Sequence, residues 1–186
     1  MNYSRNLLVA LVVAVLTLAC HEAEAQVKPF KVTGGGTAPD GLSLFGAASP
    51  HNATGTATHL GNYSGDEGIA KVLTVDFATL TGTFHGTFVF VAANGDRLAC
   101  NYGDPGTFAV TPSTEVAGEF VVEFVAEFTP DPALSTGQFA NVTGGSFTMT
   151  ATTESFAALD IDADGFTPPF AYTWEGSGSL TFNEGN

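Results

Sequence analysis

The chain has 186 residues, including 22 glycines, 16 phenylalanines and one tryptophan, and 5 basic against 19 acidic side chains give it a formal net charge of -14. That balance excludes a counterion-displacing nucleic-acid surface and repels anionic lipid headgroups. Only 13% of residues are charged, and the wealth of Gly, Thr and Phe favours strands and tight turns over helices.

Residues 1–25 read as a signal peptide. Arg5 precedes an apolar run from Leu7 to Ala19, shorter than the ~20 residues a membrane-spanning helix requires. Ala23-Glu24-Ala25 then supplies a small-x-small cleavage site, so the mature chain is expected to start at Gln26 and to be secreted, periplasmic or at the cell surface. Lipid attachment at Cys20, after Leu18-Ala19, is the alternative, although Thr17 stands where such a signal usually has a branched or leucine side chain. Residues 26–186 are expected to form one domain with no transmembrane segment. Cys100 is then the only cysteine; in Leu98-Ala99-Cys100 it reads as a buried structural thiol on a strand.

Strands are expected in chain order at 30–35, 54–60, 70–77, 84–93, 96–102, 119–128, 146–152 and 170–182, with an additional short one at 42–47. Between 119 and 128 the period of two is plainest: Phe120, Val122, Phe124, Ala126 and Phe128 share one face, while Glu119, Glu123 and Glu127 share the other. Phe84, Phe88 and Phe90 likewise share a face, with His85 on the opposite one. Asn94-Gly95 after this strand predicts a hairpin with a type I′ turn. The connection 129–141, with Pro130 and Pro132, is expected to hold at most one short helical turn. Gly176 and Gly178 predict a bend or bulge in the last strand. About eight locally joined strands would expose two edges as a flat sheet, and closure into an antiparallel barrel removes them. A β-sandwich satisfies the same periodicity and is the alternative.

The chemistry-bearing residues are few. His59, beside Leu60-Gly61 in a Thr-rich strand, is a candidate general base or ligand-orienting donor at the barrel mouth, against the plain reading of a hydrogen-bonded strand histidine. His51 sits in a turn-like Ser-Pro-His-Asn stretch. Asp160, Asp162 and Asp164, ending at Gly165, resemble the start of a calcium loop and are a candidate metal site. Ala171 falls where an EF-hand needs its bidentate Glu, so the string is not an EF-hand. Glu175 alternates with Tyr172, Trp174 and Gly176 and is expected outside. Phe84, Phe88, Phe90, Phe120, Phe124, Tyr172 and Trp174 form the expected apolar pocket wall.

Three stretches carry a family likeness: Gly55-Thr56-Ala57-Thr58-His59-Leu60-Gly61, Ala92-Ala93-Asn94-Gly95-Asp96, and 137–147 with its Gly144-Gly145-Ser146-Phe147 end. With the closing strand Trp174-Glu175-Gly176-Ser177-Gly178-Ser179-Leu180 they span about residues 30 to 182. This order resembles the barrel of the allene oxide cyclase and dirigent-like superfamily, in its exported bacterial branch. These are turn and strand-pairing signatures, so the resemblance implies the fold first. Plant barrels of this kind cyclise an unsaturated epoxy fatty acid or steer radical coupling in an apolar cavity.

Three functions are therefore expected, in order. The first is an exported barrel that binds a small apolar ligand without catalysis. The second is an isomerase or cyclase on fatty-acid-like substrates, acting through His59 or a buried carboxylate. The third is a surface or adhesion module, stabilised by calcium at Asp160, Asp162 and Asp164. No oligomeric state is read from the sequence.

Overall fold

The computed structural model describes residues 25–156 and 165–183. The proposed signal peptide and the Asp160–Asp164 calcium string lie outside these residues. Eight strands follow in chain order: β1 (Ala25–Ala38), β2 (Ser49–Ala57), β3 (Gly61–Asp76), β4 (Thr81–Ala92), β5 (Arg97–Pro112), β6 (Phe120–Pro130), β7 (Val142–Thr153) and β8 (Phe170–Asn183). Among the described residues a single 3-10 turn, Gly137–Phe139, lies between β6 and β7, within the connection expected to hold one helical turn. Each strand pairs antiparallel with its sequence neighbour, and β1 pairs with β8 from Ala25↔Asn183 to Ala38↔Phe170, closing a barrel. Closure decides against the sandwich. Among the described residues no helix is long and apolar enough to cross a membrane.

Each of the eight main expected strands has its counterpart, and several run longer than the alternation indicated. The short strand expected at 42–47 is absent. Those residues form a loop held by an isolated bridge, Ser43↔Phe166. The hairpin at Asn94-Gly95 is present, but its turn is not type I′. Gly95 N–H donates to the Ala92 carbonyl at 2.9 Å, Ala92 N–H donates to the Asp96 carbonyl at 2.9 Å, and Gly95 alone has positive φ, +88°. This is a three-residue loop in which glycine occupies the left-handed position after the turn.

The last strand also departs from expectation. β8 runs without a register shift against both β1 and β7 through Gly176 and Gly178. These glycines make room rather than bend: a Cβ at Gly178 would stand 2.5 Å from Phe147 Cα, and one at Gly176 would overlap Met149 Sδ. Irregularities in register fall elsewhere, notably between His51 and Ala53 in β2 and between Ser64 and Ile69 in β3.

Alternation places the aromatic faces inward. One end of the barrel is filled: Phe30, Phe90, Phe139, Phe147, Leu98, Val142 and Leu180 are almost wholly buried. Phe30 packs on Phe147 with ring centroids 4.7 Å apart, and Phe139 reaches in from the 3-10 turn. At the other end, inward positions carry Ala38, Ser49, Ala70, Ala126 and Ala151, and there the barrel is hollow. The change from large to small side chains along the axis creates the cavity. Cys100 is buried on β5, and burial pushes its thiol pKa up, helped by the negative charge of Asp131.

Candidate functional site

The hollow has a volume of about 80 Å³ and a wall made almost entirely of carbon. Besides the alanines, it is lined by Leu42, Met149, Phe84, Phe124, Phe128, Phe170 and Trp174. A second space of about 70 Å³ adjoins it towards the mouth and shares Leu42, Phe124 and Phe170. Two connecting segments are zipped across this mouth. Leu44 N–H donates to the Gly165 carbonyl at 2.9 Å, Thr167 N–H donates to the Leu42 carbonyl at 3.0 Å, and Leu42 N–H donates to Thr167 Oγ1 at 2.9 Å. Gly41, at φ +73°, allows this approach, because a Cβ there would overlap the Thr167 carbonyl.

One part of the wall is polar. His51 projects from β2 between two tyrosines, with Nδ1 2.8 Å from the Tyr172 hydroxyl and Nε2 2.9 Å from the Tyr102 hydroxyl. The Tyr102 hydroxyl lies 3.0 Å from the Ile69 carbonyl, and that of Tyr172 2.9 Å from the Asn52 carbonyl. Phe88 stacks beneath the imidazole at 5.4 Å, and Trp174 meets it edge-on at 6.4 Å. Missing side chains leave room for the group: a Cβ at Gly68 would stand 2.7 Å from His51 Nε2, and one at Gly86 would overlap the Tyr102 ring. Behind it, Trp174 Nε1–H donates to the Tyr63 hydroxyl at 2.6 Å, and Tyr63 donates to the Thr33 carbonyl at 3.3 Å. Among the described residues every buried side-chain nitrogen and oxygen has a partner.

Burial sets the protonation of this cluster. It lowers the His51 pKa to about 4, so the imidazole is neutral at physiological pH. Two phenol oxygens would welcome an imidazolium. Among the described residues no carboxylate lines the cavity to balance its charge, however, and the desolvation cost dominates. Burial also pushes Tyr63 up to about 12, against the opposing Trp174 hydrogen bond, and raises Tyr102 and Tyr172 still further. All three phenols stay protonated.

The expected pocket residues divide. Phe84, Phe124, Tyr172 and Trp174 line the cavity. Phe88 supports the imidazole from behind, and Phe90 lies in the filled half against Phe147 and Phe128. Phe120 is half-buried at the start of β6, where its backbone pairs with Phe156. His59 is not on a strand and not at the mouth. It is exposed in the β2–β3 turn at φ +68°, at the filled end of the barrel, with Nε2 3.2 Å from the Pro29 carbonyl. Glu175 is exposed on the outer face, as its alternation indicated.

The residue that sequence reasoning missed is His51. Pro50 and Asn52 made its surroundings look like a turn. Yet Ser49, His51, Ala53, Gly55 and Ala57 alternate with Pro50, Asn52, Thr54 and Thr56, and the first set faces inward. Pro50 is tolerated because β1 pairing begins only at Asn52, so the missing N–H costs no ladder bond on that side. Among the described residues no three His, Cys, Asp or Glu side chains gather as metal ligands. Comparison with known protein families, characterised proteins and solved structures finds no match to this chain.

Proposed function

We propose that this chain is an exported barrel whose hollow end binds a small apolar ligand. The observation that carries this reading is the cavity itself: the aromatic face of the barrel is closed at one end and left hollow at the other by five small side chains. A filled barrel would have carried phenylalanine or leucine there too, as its opposite end does. The likeness to allene oxide cyclase and dirigent-like barrels enters this reading as fold alone, and the apolar run before Gln26 supplies its export.

Native mass spectrometry of the protein secreted from a bacterial host tests it. The expected result is added mass that leaves on gentle activation and is identified as an apolar compound. Filling the cavity by Ala126→Phe is expected to abolish that mass while the barrel remains folded. A wild-type protein that stays bare, and leaves its Trp174 emission unmoved by added apolar compounds, would overturn the reading. Trp174 is the only tryptophan and lines the cavity, so its emission reports occupancy directly.

A second reading, proton-transfer isomerisation of the bound molecule, draws on the neutral His51 in the cavity wall. It moves from His59, which is remote from the cavity, and from a buried carboxylate, which is not among the described residues of the cavity wall. Turnover that survives intact in His51→Leu would remove it.

A further inference from the structure

The polar wall has four hydrogen-bonding contacts and three hydrogens to fill them. The contacts are His51 with Tyr172, His51 with Tyr102, Tyr102 with the Ile69 carbonyl, and Tyr172 with the Asn52 carbonyl. A neutral imidazole brings one N–H and one bare nitrogen, and each phenol brings one hydrogen. The imidazole N–H serves one tyrosine oxygen, and that tyrosine serves its carbonyl. The other tyrosine must then choose between the bare nitrogen and its own carbonyl. Either way one close contact sets two acceptors face to face. The shortfall follows from the geometry and from an uncharged imidazole, and it is the same in either tautomer.

We propose that the ligand is a neutral apolar molecule ending in a hydrogen-bond donor, such as an aliphatic hydroxyl, and that its donor supplies the missing hydrogen to the His51–Tyr102–Tyr172 network. This inference rests on the reading of the cavity as a binding site. A carboxylate brings only lone pairs to a network whose hydrogens are already engaged, and among the described lining residues no Lys or Arg offsets its charge. An ester or ketone brings only an acceptor, and can gain a hydrogen from the network only by taking it from one of the existing bonds. An ammonium brings donors but finds no counter-charge among the described lining residues. A hydroxyl fits the count, with its alkyl chain lying along Phe84, Phe124 and Phe170 towards the mouth.

Calorimetry and Trp174 emission on the secreted protein at neutral pH, with n-hexanol, methyl pentanoate, hexanoate and n-heptane as probes, test the inference. Affinities are compared after correction for each probe's transfer from water. Hexanol is expected to bind roughly tenfold tighter than the ester or the alkane, equivalent to about 1.4 kcal/mol, and hexanoate is expected to bind most weakly. In His51→Leu the two tyrosines give their hydrogens to Ile69 and Asn52 with none lacking, so the preference for hexanol is expected to shrink to within about twofold. Ester or carboxylate binding as tightly as the alcohol in the wild type would overturn the donor inference and leave the binding site standing. A preference that persists in His51→Leu would overturn the role of this network. Failure of all four probes would overturn both the inference and the binding reading. Should His51→Leu fail to fold, the wild-type series decides by itself.

Discussion

His51 is held neutral by its surroundings, and this links the cavity to the stability of the whole chain. Its ordinary pKa is 6.5 and burial lowers it to about 4 in the folded protein. Between these values the unfolded chain binds a proton there that the folded chain refuses. Stability from this source is therefore complete above pH 6.5, falls on acidification, and levels off near pH 4. The full difference is at most about 3.5 kcal/mol, taking ~1.4 kcal/mol per pKa unit over the shift from 6.5 to about 4. Urea midpoints for wild type and His51→Leu between pH 7 and pH 4 (two conditions chosen to bracket these pKa values) check this expectation. The wild type should lose stability relative to the variant as pH falls, and parallel curves would show that His51 is not the source. The carboxylates on the outer face are common to both proteins and cancel in the comparison. Period-two alternation carries enough information to turn His51 inward, but Pro50 and Asn52 mask it with turn chemistry. His59 shows the reverse error: a Thr-rich neighbourhood suggested a strand, whereas the chain reverses there with both His59 and Gly61 in the left-handed region.

At the scale of elements, glycines are the least legible residues. In β8 they suggested a bulge, and the structure uses them to admit Phe147 and Met149 across an unbroken ladder. The two roles look alike in sequence because both require only the loss of a side chain; which applies depends on the facing strand. A pair of substitutions separates space from backbone freedom. Gly178→Ala, where the new methyl meets the β7 backbone, is expected to cost about 2–3 kcal/mol. Gly144→Ala in β7 meets nothing within 4 Å and is expected to stay within about 0.5 kcal/mol of wild type. Equal losses in chemical denaturation would contradict the packing account. The turn at Asn94-Gly95 was legible as a hairpin, since those residues favour reversal. Its type was not, because the same glycine can serve as the second turn residue or as the residue after the turn.

Across the whole molecule the two ends of the barrel do different work. Phe139, fully buried at the filled end, closes the barrel against Phe182 with ring centroids 6.3 Å apart. Phe139→Ala is expected to cost about 3–5 kcal/mol, through lost burial and the void left behind, while leaving ligand affinity at the far end unchanged in the population that stays folded. Thermal unfolding and Trp174 emission measure the two effects separately, and a parallel loss of binding would mean that the ends are coupled. The sequence by itself determined the all-β class, the eight main strands and the inward faces of β4 and β6, because alternation is a local property with a period of two residues. It also placed Phe84, Phe124, Tyr172 and Trp174 on inward faces. Closure, the position of the cavity and the meeting of His51 with Tyr102 and Tyr172 were decided only by the tertiary structure. These depend on register between strands 51 and 121 residues apart in sequence, and on which small side chains fall at the same height around the ring. No local window contains that information, because an inward alanine reads the same whether its neighbours across the barrel fill the space or leave it open.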